Sequence, residues 1–392
     1  MYRLPRRDFI KTTALGGLAA GSGLLGFPHI ARAQTLKVGA CLPFSGGLEL
    51  FGEQARLGLD LAVAEINAAG GILGQQIEIL YEDNRTDPKT SNEVARKLIQ
   101  RDEVIAVTGP ITSAARDAMA GTMKRFRTPL LYATNYEGGG CDRYLFFLNT
   151  VPNQDAAPLI RYMHDRIGTS YYMFGADYVW PRNMFKASRA VIDELGGEVL
   201  GEEYVPLFTV KDYSSIIKKI ADSGAEILVF ALPGVDGVTF IKQAEEFGLL
   251  GKLTVGFLGF TETYLGAFGP GKGEGMYACV PFVASDPAPG VQDFVARIRQ
   301  MHGPETVVSF YVMTHYNGLM ALKAGLERSG EISREAAVDG MAGLTYQIPT
   351  GDSRITPDDH HSALNMYISR TEAGSIQVVE ALGMLDPAPQ CG

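Results

Sequence analysis

Polar side chains in this sequence follow an apolar run at a point where they could hold a ligand. Thr112 and Ser113 come shortly after the run that ends at Thr108, and they open a segment of helical period. Ser113 can cap that helix while free backbone N–H groups at the helix start face a ligand. A carboxylate or a carbonyl oxygen would dock there, because the start of a helix attracts negative charge. Helix capping alone is the alternative role for Ser113.

Aromatic and hydroxyl side chains end other apolar runs in the same way. Tyr132 and Thr134 close one run, and Tyr178 and Trp180 follow another. Trp180 is the only tryptophan, and with Tyr178 it would form an aromatic wall that closes over a small ligand. Packing within the core is the alternative for these three aromatic side chains.

One acidic residue has a comparable position. Glu262 follows the apolar run 253–257 and would accept N–H bonds from a ligand amine or amide; the alternative is a solvated glutamate at a helix start. A zwitterionic amino acid needs a cradle for its carboxylate, such as Ser113 with Thr134, and an acceptor for its ammonium, such as Glu262. A neutral amide or urea needs only one donor and one acceptor. Both ligand classes stay open at this point.

Motifs of enzymes are incomplete in this sequence. The run Gly266–Lys272 matches most of a phosphate-binding loop, but Gly273 stands where that loop needs a serine or threonine for magnesium. The run Asp358–His361 could suggest a metal site, yet neighbouring residues of an extended chain point to opposite sides, and no second cluster supplies further ligands. We therefore predict a protein that binds a small molecule, without catalysis, cofactor or metal.

The elements that would position these residues follow a repeating pattern. Apolar runs of strand length alternate with segments of helical period, first from Leu36 to Tyr132 and again from Tyr171 to Phe257. This alternation is typical of parallel sheets with helices on both faces. Such sheets bind ligands at the carboxyl ends of their strands. We predict an α/β protein with two Rossmann-like lobes.

Three polar, proline-containing breaks would be the crossings between the lobes. They are 149–154, 281–289 and 349–351. A hinge of three strands would place the binding edges of both sheets around one cleft. The predicted N-terminal lobe is 34–150 plus 284–350, and the predicted C-terminal lobe is 151–283 plus 351–392.

The first 33 residues have the three zones of an export signal. Basic residues precede an apolar stretch at 14–27, and Ala31-Arg32-Ala33 is a cleavage site of the A-x-A type. The run Arg6–Lys11 resembles a twin-arginine signal, with an ordinary secretory signal as the alternative. No later apolar stretch approaches the roughly 20 residues that span a bilayer. We predict a periplasmic protein without membrane insertion, cleaved near Ala33.

Charge and cysteine content limit the partners and the compartment. The net charge of −9 disfavours nucleic acid and anionic lipid, which both reward basic surfaces. The four cysteines are far apart and form no C-x-x-C pair, so an oxidising compartment permits a disulfide but the sequence does not select the pairing. They are Cys41, Cys141, Cys279 and Cys391.

Several motifs match a known family. The segments Lys37–Gly46, Ala64–Ile72 and Glu82–Pro88 resemble the periplasmic leucine-isoleucine-valine-binding family, and the resemblance covers essentially the whole mature chain. It implies the type I periplasmic binding fold. It also implies that the chain presents a small polar solute to an inner-membrane ABC permease; a sensor without a transport role and an exported enzyme are the alternatives.

Other segments are similar to the branch of that family that handles short amides and urea. These segments are Thr112–Arg116, Tyr136–Gly138, Pro152–Gln154, Gly175–Arg182 and Asp359–His361. In contrast, Ala133-Thr134-Asn135 is closer to the amino-acid-binding members. The resemblance thus favours a short amide or urea, followed by a neutral, branched-chain-type amino acid. It also implies a ligand-contacting hydroxyl at Thr134, and the full predicted binding set is Ser113, Ala114, Tyr132, Ala133, Thr134, Tyr178, Trp180 and Glu262.

Overall fold

The computed structural model describes residues 35–389 and Cys391. The predicted export signal, residues 1–33, and its cleavage site lie outside the described residues. Among the helices that are described, none combines the length and the apolar character needed to cross a membrane.

Strands and helices alternate along the chain. The strands are β1 Leu36–Leu42, β2 Ile77–Asp83, β3 Ala106–Thr108, β4 Leu130–Tyr132, β5 Leu145–Phe147, β6 Ser170–Ala176, β7 Glu198–Val205, β8 Ile227–Ala231, β9 Thr254–Phe257, β10 Tyr277–Val280, β11 Thr345–Ile348, β12 Gly351–Ile355, β13 Ser362–Glu372 and β14 Ser375–Leu385. The helices are α1 Glu49–Ala68, α2 Pro88–Gln100, α3 Ser113–Arg125, α4 Ala156–Arg166, α5 Val179–Leu195, α6 Ser214–Ser223, α7 Gly234–Glu246, α8 Glu262–Phe268, α9 Pro289–His302, α10 Phe310–Ser329 and α11 Arg334–Met341.

The first lobe is built on a five-stranded parallel sheet in the order β2-β1-β3-β4-β5. Alternate residues of β1 point to opposite faces: Val38 and Ala40 pack in the cluster that holds α1 and α10, whereas Cys41 packs with α2 and α3. Because both faces are covered, the strands are continuous apolar runs. The carboxyl ends of all five strands meet at one edge.

The second lobe is built on a nine-stranded sheet, in which β14 pairs with β13 and the remaining strands follow the order β11-β12-β13-β10-β9-β8-β6-β7. Strands β6 to β10 are mutually parallel, and β11 to β14 add an antiparallel part. Phe174 of β6 packs in one core cluster and Met173 in the other, so this sheet also carries helices on both faces. The predicted two-lobe α/β fold is confirmed.

The chain passes between the lobes three times. It leaves the first sheet at residues 148–155, returns at 281–288 and leaves again at 342–344, between α11 and β11. The predicted third break, 349–351, instead includes the two-residue turn that joins the antiparallel strands β11 and β12. Proline and glycine mark both kinds of connection, so their pattern did not separate a hairpin turn from a crossing. The exact lobe boundaries stay a prediction.

A disulfide bond brings the end of the chain back to the first lobe. Cys391, beyond the last strand of the second sheet, is bonded to Cys141 in the loop between β4 and β5. In the same region the backbone N–H of Gly139 donates to the carbonyl of Pro389 at 2.6 Å. Cys41 and Cys279 are buried free thiols. The structure thus selects one pairing among those that the sequence left open.

Candidate functional site

A cavity lies where the carboxyl ends of strands from both sheets face each other. Its empty volume is about 400 Å³, including the part that opens to solvent. Most of the lining residues lie in the segment that follows one of six strands, or in the first turn of the helix after that strand. The lining residues are Leu48, Phe51, Ile111, Thr112, Ser113, Thr134, Asn135, Tyr178, Trp180, Pro233, Leu258, Gly259, Tyr264 and Tyr311.

The turn from β3 into α3 forms one wall of the cavity. Gly109 has a φ of +93°, and a Cβ there would lie 2.3 Å from the carbonyl oxygen of Cys41, so this turn requires glycine. Thr112 caps α3, because its Oγ1 accepts the N–H of Ala115 at 3.3 Å. The expectation that Ser113 caps the helix is therefore wrong: Ser113 is the first helical residue, and its side chain faces the cavity.

Backbone donors are available at this wall. Within the described part of the chain, the N–H groups of Ser113, Ala114 and Thr134 have no hydrogen-bond acceptor. For Ser113 and Ala114 this follows from their position in the first turn of α3, where no preceding turn supplies carbonyls. The N–H groups of Ser113 and Ala114 can donate to a ligand oxygen at the positive end of the helix.

An ion pair lies directly behind Ser113. The Ser113 hydroxyl donates to Oε2 of Glu137 at 2.6 Å, and Nη2 of Arg116 lies 3.2 Å from Oε1 of the same carboxylate. Arg116 is also paired with Asp117 at 2.8 Å. Burial alone would lower the pKa of Arg116, but the adjacent Tyr132, Glu137 and Asp117 outweigh it and raise the pKa. The guanidinium therefore stays charged.

The opposite wall is aromatic and comes from the second lobe. Tyr178 immediately precedes α5 and Trp180 lies in its first turn, with ring centroids 6.4 Å apart. Burial raises the pKa of Tyr178 well above its usual range, so this hydroxyl is neutral. The indole Nε1 of Trp180 has no acceptor among the described residues. A ligand enclosed here would contact ring faces and at most two aromatic donors on this side.

Three helices complete the enclosure. The hydroxyl of Tyr311 in α10 donates to Oδ1 of Asn135 at 3.1 Å, which fixes the orientation of both side chains. Tyr264 in α8 accepts the N–H of Gly234 at 3.0 Å. Phe51 in α1 packs between these tyrosines, 4.9 Å from Tyr311 and 6.1 Å from Tyr264 between ring centroids. The floor of the cavity is thus a rigid aromatic cluster.

The structure brings four of the predicted site residues together at the cavity: Ser113, Thr134, Tyr178 and Trp180. Tyr132 is fully buried beneath the cavity wall, and its hydroxyl donates to the carbonyl of Ile111 at 2.9 Å. Ala133 is also buried, and its carbonyl accepts from Asn149 and Thr314. Ala114 offers its backbone N–H beside Ser113.

Glu262 is not brought to the cavity. It is the first residue of α8, and its Oε1 accepts the N–H of Ala284 at 2.8 Å. Burial raises the pKa of this carboxyl to about 7. Its side chain lines a separate groove together with Ser285 and Arg299. Consequently, among the residues that the structure describes, none that lines the ligand cavity carries a charge.

Sequence reasoning missed several lining residues. Asn135, Pro233, Leu258 and Gly259 directly follow β4, β8 and β9, so the rule that ligands bind at the carboxyl ends of strands could have found them. Leu48, Phe51, Tyr264 and Tyr311 belong to α1, α8 and α10 or precede them, and their approach to the cavity depends on how the helices pack. No local sequence signal encodes that approach.

The histidine pair that suggested a metal site has a structural role. Nε2 of His361 is hydrogen-bonded to the hydroxyl of Tyr136, and Nδ1 lies 2.7 Å from the carbonyl of Asp359. Burial lowers the pKa of His361 to about 4, so its ring is neutral. In the described ranges, no group of three histidine, cysteine or acidic side chains is arranged to hold a metal ion.

Comparisons with known proteins agree with this geometry. Residues 35–375 match the family model described as periplasmic binding protein. A Leu/Ile/Val-binding protein homolog 6 from Brucella melitensis is 26% identical over 353 residues, covering 86% of this chain and 88% of that protein.

Two solved structures share the fold. A solute-binding protein of an ABC transporter from Rhodopseudomonas palustris, in complex with 3,4-dihydroxybenzoic acid, has a TM-score of 0.82 and 20% identity over 91% of this chain and 99% of that one. A branched-chain amino acid transporter substrate-binding protein from Streptococcus pneumoniae, in complex with isoleucine, has a TM-score of 0.81 and 21% identity over 89% of this chain and 100% of that one.

Proposed function

Because this chain belongs to the periplasmic binding protein family, we propose that it delivers one small, neutral, amide-like solute to an ABC importer. Membership in the family confirms the predicted type of fold and the prediction of a binding protein rather than an enzyme. Export to the periplasm and docking on an inner-membrane permease belong to the same proposal. The identity of the solute is argued from the cavity.

The absence of charged side chains from the cavity lining carries the proposal. An ion that leaves water without a partner loses its solvation at a cost of several kcal/mol. An amino acid would bring an ammonium group, and Glu262, the acid predicted to receive it, contacts Ala284 outside the cavity. A neutral solute avoids this cost.

A primary amide matches the polar groups that line the cavity. Its carbonyl oxygen would accept from the N–H groups of Ser113 and Ala114 at the start of α3. Its N–H groups would donate to the hydroxyl oxygens of Ser113 and Thr134. Tyr178 and Trp180 close the opposite side and limit the length of the substituent.

An aromatic monocarboxylate is the second candidate. It carries no ammonium group, its carboxylate would be stabilised by the start of α3, and five aromatic side chains line the cavity: Phe51, Tyr178, Trp180, Tyr264 and Tyr311. The solved relative from Rhodopseudomonas palustris is in complex with an acid of this class. A branched-chain amino acid is the third, and the isoleucine complex from Streptococcus pneumoniae motivates its inclusion in the test.

A thermal-shift panel on the mature protein tests the proposal, after partial unfolding and dialysis have removed any co-purified ligand. The panel contains acetamide, propionamide, urea and benzamide against acetate, benzoate, leucine, valine and alanine. A ligand at a hundred times its dissociation constant adds about 2.7 kcal/mol of stability. We expect shifts with amides or urea. A shift with leucine or benzoate and none with any amide would contradict the neutral-solute assignment.

A further inference from the structure

The hydrogen bonds of the Ser113 hydroxyl are set by residues outside the cavity. Oε2 of Glu137 lies 2.6 Å from Oγ, and a carboxylate oxygen can only accept, so Ser113 must donate its single proton to Glu137. Nη1 of Arg116 donates to the same Oγ at 3.4 Å. The hydroxyl therefore has no proton left for a ligand, only a lone pair.

Burial holds this arrangement in place. The side chains of Arg116 and Glu137 are 4% and 3% exposed. The guanidinium is further held by the rings of Tyr132 and Tyr136, whose centroids lie 5.1 and 4.5 Å from its central carbon. To turn its proton toward the cavity, Ser113 would have to leave a buried carboxylate oxygen without this donor, which is costly.

We infer that Glu137 and Arg116 are positioning residues that make the Ser113 hydroxyl an obligate acceptor toward the ligand, and that this arrangement selects an amide N–H over the corresponding carboxylate oxygen. The inference rests on the proposed function insofar as the ligand lies against Ser113. It adds a physical basis for discriminating two ligands of nearly identical shape.

The discrimination comes from matching donors with acceptors. The backbone N–H groups of Ser113 and Ala114 are donors, and the side-chain oxygen of Ser113 is an acceptor beside them. A primary amide presents one acceptor and one donor to this pair of groups. A carboxylate presents two acceptors, so one of its oxygens would face the lone pair of Ser113.

The substitution Glu137→Gln tests this directly, because it reverses the direction of the hydrogen bond between residue 137 and Ser113 with little change in the shape of the side chain. The glutamine oxygen would accept from Arg116 and its amide nitrogen would donate to Ser113, which frees the hydroxyl proton for the ligand. Dissociation constants are measured for two matched pairs, acetamide with acetate and benzamide with benzoate. We expect the ratio of acid to amide dissociation constants to fall at least tenfold in this variant.

A matched control separates the effect of the reversed hydrogen bond from the effect of removing one negative charge. Asp117→Asn removes one negative charge from the same guanidinium, but Asp117 makes no hydrogen bond to Ser113 and its side chain is 56% exposed. We expect its ratio to stay within about threefold of the unmodified protein, since exposed charges are screened by solvent. An equal fall in both variants would overturn the inference.

Ser113→Ala provides a second route should Glu137→Gln fail to fold. Removal of the acceptor weakens the amide at least tenfold and leaves the carboxylate unweakened or tighter. A larger loss of affinity for the carboxylate than for the amide on going from the unmodified protein to this variant would show that Ser113 donates to ligand, contrary to the inference. When Ser113→Ala and Glu137→Gln are combined, Glu137→Gln no longer changes the ratio of acid to amide dissociation constants, because the hydroxyl that it acts on is absent.

The failure of the proposed function has a different signature. If the unmodified protein binds acids but no amide, the neutral-solute assignment fails, while Ser113→Ala must still tighten or preserve acid binding. Neutron diffraction of the ligand-free, deuterium-exchanged protein tests the polarity without any ligand. A Ser113 deuteron directed at Glu137 supports the inference, and one directed into the cavity overturns it.

Discussion

Gly47 and Phe208 lie in contact across the gap between the two lobes. Gly47 follows β1 in the first lobe and Phe208 follows β7 in the second, and a Cβ on Gly47 would come within 2.5 Å of the Phe208 ring. Gly47 has a φ of +102°, so glycine is required by its backbone as well as by this contact. The described conformation is therefore a closed one, in which the two lobes touch each other.

Removal of this contact should favour the open form. Phe208→Ala deletes the ring that Gly47 packs against, so the closed population falls and the ligand must supply more of the free energy of closure. We expect a larger radius of gyration in small-angle scattering without ligand, and weaker binding by about three- to tenfold. In both proteins saturating ligand should restore the compact form. A radius of gyration that does not change when ligand is added would contradict closure of the two lobes around the ligand.

The Thr134 hydroxyl should contribute to binding and little to folding. Thr134→Val keeps the shape of the side chain and removes a hydrogen bond to ligand of about 1 to 3 kcal/mol. Calorimetric titration should show that affinity falls, while the melting temperature without ligand changes by only a few degrees. The Thr134 hydroxyl donates to the carbonyl of Pro110, and Thr209→Val is the matched control, because that exposed threonine likewise donates to a proline carbonyl, that of Pro206, and is not among the residues that line the cavity. A collapse of stability in Thr134→Val alone would make Thr134 structural.

Trp180 should report binding through its fluorescence. It is the only tryptophan of the chain and it lines the cavity. A ligand that excludes water from the cavity should shift its emission to shorter wavelength with the same concentration dependence as the thermal shift. Trp180→Phe should abolish the signal while retaining an aromatic wall. Emission that stays constant at saturating ligand would place the ligand away from this wall.

Asp155 should make stability depend on pH. Its carboxyl caps α4 in the first crossing between the lobes, accepting from Ala156 and Thr150 at 2.6 Å each, and burial raises its pKa to about 7. Because the folded pKa lies above the unfolded one, the stabilising contribution is complete below about pH 4 and is lost as pH rises through 7. Between pH 4 and pH 8, the free energy of unfolding of Asp155→Asn should therefore rise by on the order of 2 to 4 kcal/mol relative to that of the unmodified protein.

Denaturation of both proteins by guanidinium chloride at several pH values measures this difference, and the comparison cancels titrations that they share, such as that of His361. Asp87→Asn is the control of opposite sign. Asp87 caps α2 by accepting from Thr90, and that hydrogen bond lowers its pKa, so its contribution is lost only as pH falls below about 4. If the difference in free energy of unfolding between Asp155→Asn and the unmodified protein did not change with pH, this would contradict a raised pKa for Asp155.

The disulfide between Cys141 and Cys391 should stabilise the folded chain. Bonds of this kind typically contribute about 2 to 4 kcal/mol, mainly by restricting the unfolded state. Cys391→Ser should lower the melting temperature, and dithiothreitol should lower that of the unmodified protein by a similar amount. Reductant should leave the variant unaffected. Equal sensitivity to reductant in both proteins would contradict the assigned pairing.

Local sequence signals predicted the parts of the site that depend on one strand. Ser113 and Thr134 follow buried strands, and the topology of a parallel sheet then determines the edge to which they belong. Thr112, with an extended backbone, caps α3 and Ser113 is its first helical residue, a difference of one position that composition does not encode. The direction of the Glu262 side chain depends on Ala284, which approaches it only when the second crossing packs against α8.

Local sequence signals likewise predicted only some of the aromatic residues of the site. Trp180 was predicted from its position after β6, whereas Tyr311 reaches the cavity from a helix that begins at residue 310 and packs against α1. Nothing in the local pattern of α10 distinguishes Tyr311 from a core tyrosine. The ion pair behind Ser113 was likewise not predicted, because Arg116 and Glu137 are separated by β4 along the chain.

The bond between Cys141 and Cys391 also closes most of the polypeptide into a covalent ring. The two cysteines are separated by 250 positions in the chain, and that interval includes every strand of the second sheet. A protease that cuts once anywhere inside the ring opens it but releases no fragment. A nicked molecule would migrate as one species on a non-reducing gel and as two after reduction. The second lobe thus stays attached to the first after a single cut.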